Sequence, residues 1–357
     1  MTDGQSLADG AAGTALLHLE TGERAAAFTA LQEAVAEGAT VADNASLYYG
    51  APAIAFVLAA SSWPELAGAA GVAADGTAIV TRRKLGAAHR RIDERRRPDY
   101  SEYDLIRGLT GLGVVLRRIG NHDLLHDVLT YLVRLTETLR SLPGWWCSNG
   151  PSRDQPDPAG GHGNHGLAHG ITGPLALLAL TYLDGVHVEG QVAAMNRILS
   201  WLDVWEQRSI DGAAWWPQTL TRAELEHRTP KQPGPGRASW CYGTPGVARA
   251  VQLAARAVDD ALRQRHAEVA FAACIADPAQ TGLLTDRGLC HGTAGLLSTG
   301  RHIAADALTP IPLAHLRALH DATAAGDEGA GFLDGRTGAD LVTAGRATAW
   351  DECLLLC

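Results

Sequence analysis

The sequence predicts an all-α protein assembled from a repeated helical hairpin, and three observations carry that expectation. A tight Gly-x-x-Gly turn, or Gly-x-x followed by another small residue, recurs seven times in 357 residues, each time ahead of an apolar run. The stretches between copies place apolar residues at helical rather than alternating spacing. No strand pattern of comparable length occurs. Repetition at this interval is the mark of a fold built from one unit that buries its apolar face against its neighbours.

Taken in order, the turns start at Gly10, Gly50, Gly108, Gly170, Gly243, Gly292 and Gly335. The first is Gly10-Ala11-Ala12-Gly13 ahead of Thr14-Ala15-Leu16-Leu17. The second, Gly50-Ala51-Pro52-Ala53, ends in alanine instead of glycine. The intervals leave room for two helices and their connections per copy. Helices are expected over residues 23–37, over 122–139 with Leu124, Leu125, Val128, Leu132 and Leu135 on one face, and over 193–205 with Met195, Ile198, Leu199 and Leu202. Loops are expected over 142–163, 215–235 and 325–331, where Gly, Pro and polar residues interrupt the pattern. The first two should line a cavity.

With 46% hydrophobic residues the chain can bury a large core. It has neither a run of about 18 apolar residues nor the basic start and apolar stretch of a signal peptide, so a cytoplasmic protein is expected. Its six cysteines then read as reduced thiols or metal ligands, not disulfides. The net charge of −9 disfavours nucleic acid. Residues 82–97 run against that balance, with eight basic side chains to two acidic ones. They form either a solvated helical face or a local dock for an acidic peptide.

Chemistry gathers in two of the turns. Trp240-Cys241-Tyr242-Gly243-Thr244-Pro245-Gly246 and Leu289-Cys290-His291-Gly292-Thr293-Ala294-Gly295 set thiol and imidazole directly before the glycine. Zinc selects these ligand types, and Cys241, Cys290 and His291 leave its fourth position open. The plainer alternative is two buried core thiols and a helix-start histidine. The repetition of the cysteine at equivalent places favours metal.

Together with Gly166-Leu167-Ala168-His169-Gly170-Ile171-Thr172-Gly173-Pro174, these motifs resemble the signatures of LanC-type lanthionine cyclases. Tyr103-Asp104-Leu105-Ile106-Arg107-Gly108 and the ending Trp350-Asp351-Glu352-Cys353-Leu354-Leu355-Leu356 are similar to that family too. The resemblance spans nearly the whole chain and implies one domain over residues 1–357, an α/α toroid of seven inner and seven outer helices. It implies a zinc enzyme that adds peptide cysteine thiols to dehydroalanine or dehydrobutyrine. Its partners would be a dehydrated precursor peptide with its leader, a dehydratase and a transporter. By the resemblance the zinc ligands fall on Cys241, Cys290 and His291, and the proton-handling histidine on His169. Asp104 and Arg237 are catalytic companions, and Trp240 and Tyr242 contact the substrate. Some members carry an inserted subdomain, thought to engage the leader, between the early copies; here the second copy and Asp104 are too close for a full one.

A free thiol is only about 3% ionised at neutral pH, so ionisation on a metal accounts for about 30-fold at most and positioning must supply the rest. Addition to the alkene leaves an enolate that needs a proton, for which His169 is the candidate acid. Asp104 either orients it or simply caps a helix. Arg237 either stabilises the enolate oxygen or is a surface arginine. His162 and His165 are rival bases or ligands in the same glycine-rich loop. Three other readings compete. A prenyltransferase β-like barrel would need an aromatic pocket and a carboxylate ligand. A related protein that adds glutathione to dehydrated peptides would keep the fold. A non-catalytic scaffold would be expected to have lost its ligands.

Overall fold

The computed structural model describes residues 4–150, 157–324, 329–345 and 348–357. Of the three expected loops, residues 151–156 and 325–328 lie outside the described residues.

Each of the seven turns opens an inner helix: Ala11–Thr21, Ala51–Leu58, Leu109–Arg118, Thr172–Leu183, Thr244–Ala257, Thr293–Asp306 and Arg336–Ala344. These pack side by side in chain order, and the last closes on the first. Outside them lie Arg24–Ala34, Ala67–Asp93, His122–Leu135, Gln191–Trp205, Ala261–Ala276 and Ala314–Ala322, each against the inner helix that precedes it. The result is the expected α/α toroid. The fourth inner helix is apolar nearly all round, with ten successive buried residues from Thr172 to Thr181. A helix walled in by neighbours on every side requires this composition.

The four residues before each helix share one register. Three places before the first glycine stands a large apolar residue, Leu7, Leu47, Leu105, Leu167, Trp240, Leu289 or Phe332, and all seven are at most 1% exposed. One place before it stand Asp9, Tyr49, Arg107, His169, Tyr242, His291 and Asp334, none of them buried. The second glycine is a packing requirement, since a Cβ at Gly111, Gly246 or Gly295 would meet the carbonyl oxygen of Leu105, Trp240 or Leu289 at 2.1, 2.1 and 1.9 Å. That approach lets the turns link up. Leu7, Leu105, Leu167, Leu289 and Phe332 donate backbone N–H groups to Tyr48, Ala168, Cys241, Leu333 and Ala8 of the next turn, and Cys241 donates to Cys290. Six of seven junctions are bonded in this way. Between the second and third turns no such bond forms among the described residues. There Ala53 stands where the other copies have glycine, and Gly50 alone among the turn glycines takes a left-handed φ of 77°.

The seventh inner helix is followed, among the described residues, by a 3₁₀ turn, Trp350–Leu354, instead of a long outer helix. The reason is the space on the toroid axis, which this segment fills. Trp350 and Cys353 through Leu356 are buried. Carbonyls of Cys353, Leu354 and Leu356 accept from Tyr48 Oη, Trp240 Nε1 and the Arg249 guanidinium.

Three expected boundaries shift. The helix expected over 122–139 stops at Leu135, because Thr138–Leu139 pairs with Leu142–Pro143 across left-handed Arg140 and Ser141. The helix expected over 23–37 ends at Ala34, and the one over 193–205 begins earlier, at Gln191. Loop 142–163 lines a cavity of about 700 Å³ through Leu142, Pro143 and Trp145. Loop 215–235 contains a strand, Thr219–Thr221, paired with His162–Asn164, and a helix, Arg222–His227. Thr221 and Glu224 form a capping box at that helix start, a signal present in the sequence as Thr-x-x-Glu. Between the second copy and Asp104 stands the 27-residue helix Ala67–Asp93 and no inserted subdomain.

Candidate metal and proton-transfer site

Two adjacent turns, joined by the Cys241 N–H to Cys290 carbonyl bond of 3.2 Å, bring the predicted ligands together. A sulfur of Cys241, a sulfur of Cys290 and a ring nitrogen of His291 all lie within 4.8 Å of one another. Cys241 is buried, whereas Cys290 and His291 are half-buried. The cluster therefore has protein on one side and an opening on the other. The Cys290 thiol hydrogen-bonds to Cys241 and holds it below the ordinary thiol range, and the same pairing with burial pushes Cys290 up. Two thiols that share one proton, beside an imidazole, are a donor set suited to a thiophilic cation that displaces the proton. The residues fit zinc in this sense.

The preceding turn, bonded to the Cys241 turn through Leu167, supplies His169. Its Nδ1 lies 2.6 Å from Asp104 Oδ2. Asp104 is fully buried, and its other oxygen accepts backbone N–H groups from Arg107 and Gly108 at 2.8 and 2.7 Å. Burial pushes the Asp104 carboxyl above its usual range, opposed by the bond to His169. Asp104 is thus not merely a cap. It closes its own turn with one oxygen and holds the imidazole with the other. Tyr100 packs edge-on against the His169 ring at 5.4 Å, and Tyr242 lies 6.2 Å away on the metal-ligand side. Asn164 donates to the Tyr242 hydroxyl at 3.0 Å, and burial raises the Tyr242 phenol above its ordinary value. Arg237 lies near enough to both cysteines for its charge to favour their thiolates, and His169 does the same for Cys241.

Trp240 is not part of the opening, which corrects the expectation of a substrate contact. It occupies the apolar register position, is fully buried, and donates its indole N–H to Leu354 O at 2.9 Å. Neither rival histidine is available. His165 Nδ1 donates to Pro217 O and its Nε2 accepts from Trp201 Nε1, while burial lowers its pKa to about 4. His162 is 1% exposed and bonded to Asn149 O.

Sequence reasoning passed over two carboxylates. Asp334 Oδ1 is 3.4 Å from His291 Nδ1, and Asp286 Oδ2 is 3.7 Å from His291 Nε2. Asp334 precedes Gly335 as His291 precedes Gly292, so the register marked it. The basic segment 82–97 is partly neutralised by ion pairs. Arg91 is buried in an ion pair with Glu102, Arg83 pairs with Asp43 and Arg96 with Glu94. No helix among the described residues is long and apolar enough to cross a membrane.

Comparison with known proteins agrees with this arrangement. The model of the lanthionine synthetase C-like protein family matches residues 2–321. Nisin biosynthesis protein NisC of Lactococcus lactis subsp. lactis is 25% identical over 204 residues, 55% of this chain and 48% of the relative, so the chain spans about half the length of that curated protein. Among solved structures, nisin cyclase superposes with a TM-score of 0.81 at 22% identity, over all of this chain and 93% of the other, a likeness of fold. A family match across nearly the whole chain, on a closed ring of seven inner helices, places this protein in the lanthionine synthetase C-like family.

Proposed function

We propose that the chain, acting as one domain over residues 1–357, is a zinc-dependent lanthipeptide cyclase. It would close (methyl)lanthionine rings by adding peptide cysteine thiols to dehydroalanine or dehydrobutyrine. The observation that carries this reading is the meeting of Cys241, Cys290 and His291 with the His169–Asp104 pair at one opening. Family membership and the names of the relatives support it.

Cys241, Cys290 and His291 would hold the metal, and zinc, when bound, would favour the ionised form of a thiol brought to it. The chain's own residues supply the rest. The inner helices Thr172–Leu183, Thr244–Ala257 and Thr293–Asp306 start just after the turns that carry His169, Cys241 and Cys290, and their N-terminal dipoles favour the negative charge that grows on the attacked peptide. Arg237 adds a nearby cation for the enolate oxygen. Asp104 keeps the Nδ1 proton of His169 in place, so the protonated ring presents its Nε2 N–H to the enolate α-carbon. The carbon–sulfur bond forms at the β-carbon, the thiol proton is lost, and the α-carbon gains one, leaving the mass unchanged. Tyr242 would line the path of the peptide. The reading places the enzyme in the cytoplasm, with a dehydratase and a transporter as partners of the same peptide.

The test is to incubate the zinc-loaded chain with a dehydrated precursor and count free thiols by alkylation. Loss of thiols at constant mass is the expected result. A mass gain only when glutathione is supplied would replace this reading by glutathione addition, and no change with either would leave a scaffold.

A further inference from the structure

The seven turns do not close the mouth evenly. Where the second and third turns meet, the missing backbone bond coincides with a cavity of about 740 Å³. The cause is legible in the chain. Ala53 carries the Cβ that the other six turns exclude beneath the carbonyl three places before the glycine, so this turn takes another course. One wall of the cavity is Tyr48, Tyr49, Ile106 and Arg107. Tyr49 and Arg107 occupy the register position that in the next three turns presents His169, Tyr242 and His291. The opposite wall comes from the long helix Ala67–Asp93 and the turn after it, through Lys84, Arg91 and Arg96.

The charges there are unequally satisfied. Of the three acids on the wall, Glu102 takes Arg91 at 2.5 Å, Asp43 takes Arg83 at 3.0 Å, and Asp99 accepts the Ser101 N–H at 2.8 Å. Lys84 donates to the Arg107 carbonyl at 2.7 Å and forms no ion pair with a carboxylate among the described residues, nor does Arg107. Burial lowers the Lys84 pKa to about 8, a cation held where solvent screens it poorly.

We propose that this cavity is a docking groove for an acidic segment of the peptide substrate, with Arg107 and Lys84 taking its carboxylates. The segment would lie across Arg107 while another part of the same peptide reaches His169 and the metal ligands. For the identity of the peptide this rests on the cyclase reading; the groove itself does not.

The experiment uses the full chain and a fluorescein-labelled decapeptide of alternating Glu and Ala, read by fluorescence anisotropy. The same peptide with Gln in place of Glu is the comparison. Tighter binding of the Glu peptide by about tenfold, weakening with salt, is expected from charge-assisted hydrogen bonds. Arg107→Gln should remove most of that preference, and Arg107→Lys should restore part of it. Arg24→Gln, on the outer surface away from the groove, should leave it unchanged. Circular dichroism of each variant reports the fold. Equal affinity for the Glu and Gln peptides, or an undiminished preference in folded Arg107→Gln, overturns the proposal. Because the assay needs neither zinc nor ring closure, its failure is separate from failure of the cyclase reading. Under that reading, Arg107→Gln should raise KM for a Glu-bearing precursor more than for a Glu-free one, and an equal change for both would overturn the carboxylate contact.

Discussion

His169 Nδ1 and Asp104 Oδ2 lie 2.6 Å apart across the junction of the third and fourth turns, the imidazole part-exposed and the carboxylate sealed from water. One end of the pair is fixed by backbone N–H groups and the other is open to a ligand. That polarity suits proton delivery. His169→Asn should retain zinc and fold but lose about 10²–10⁴-fold in cyclisation rate. Asp104→Asn should act in the same direction, and by more than a lost cap alone, because the ring would also lose its orientation. Wild-type rates in zinc-replete His169→Asn would remove the acid assignment.

Metal removal should separate site from scaffold. The three ligands come from turns on a large hydrophobic frame, so Cys290→Ala is expected to lose most bound zinc while keeping a wild-type circular dichroism spectrum. Elemental analysis of the wild type should give about one zinc per chain. Global unfolding of Cys290→Ala would point to a structural metal instead.

Replacing Gly246 by alanine puts a methyl 2.1 Å from the Trp240 carbonyl and 3.2 Å from the Leu167 side chain. The backbone must shift, and this is the turn that carries Cys241. A loss of about 1–3 kcal/mol in urea unfolding and a weaker zinc affinity are expected. Ala53, the equivalent residue of the second turn, should tolerate Ala53→Ser with a smaller loss.

His165 ties stability to pH. Its folded pKa is about 4, because burial disfavours the charged ring, against about 6.5 in the unfolded chain. Between these values the unfolded chain binds a proton that the folded chain does not, so stability falls as pH drops. The contribution is intact above about pH 6.5, and about 3 kcal/mol is lost by about pH 4. Urea midpoints across this range should show the slope, and His165→Gln should flatten it. An unchanged slope in the variant would place the proton elsewhere.

Much of the site is legible in the amino-acid sequence because it sits on a repeat. Cys241, Cys290, His291 and His169 each stand one or two residues before a turn glycine, and the spacing alone marks them as equivalent. The capping box at Thr221 and the register position of Asp334 carry signals of the same kind, in a Thr-x-x-Glu spacing and in the residue ahead of Gly335. Trp240 departs from expectation for the opposite reason. Its neighbours are site residues, but the register turns it into the core.

What the sequence by itself determined is local: where each inner helix begins, which faces are apolar, and which side chains share a place in the turn. Steric demands within a few residues are enough for that, since a Cβ on the second glycine collides with a carbonyl six residues earlier. Only the tertiary structure decided which turns became neighbours. Packing of consecutive turns brings Asp104 to His169 across 65 residues and Cys241 to Cys290 across 49, and the closed ring takes in the C-terminal segment, whose carbonyls Trp240 and Arg249 bind. It also left one junction open beside Arg107 and Lys84. These outcomes depend on seven packed units satisfying one another's backbone groups, a condition that no single stretch of chain contains.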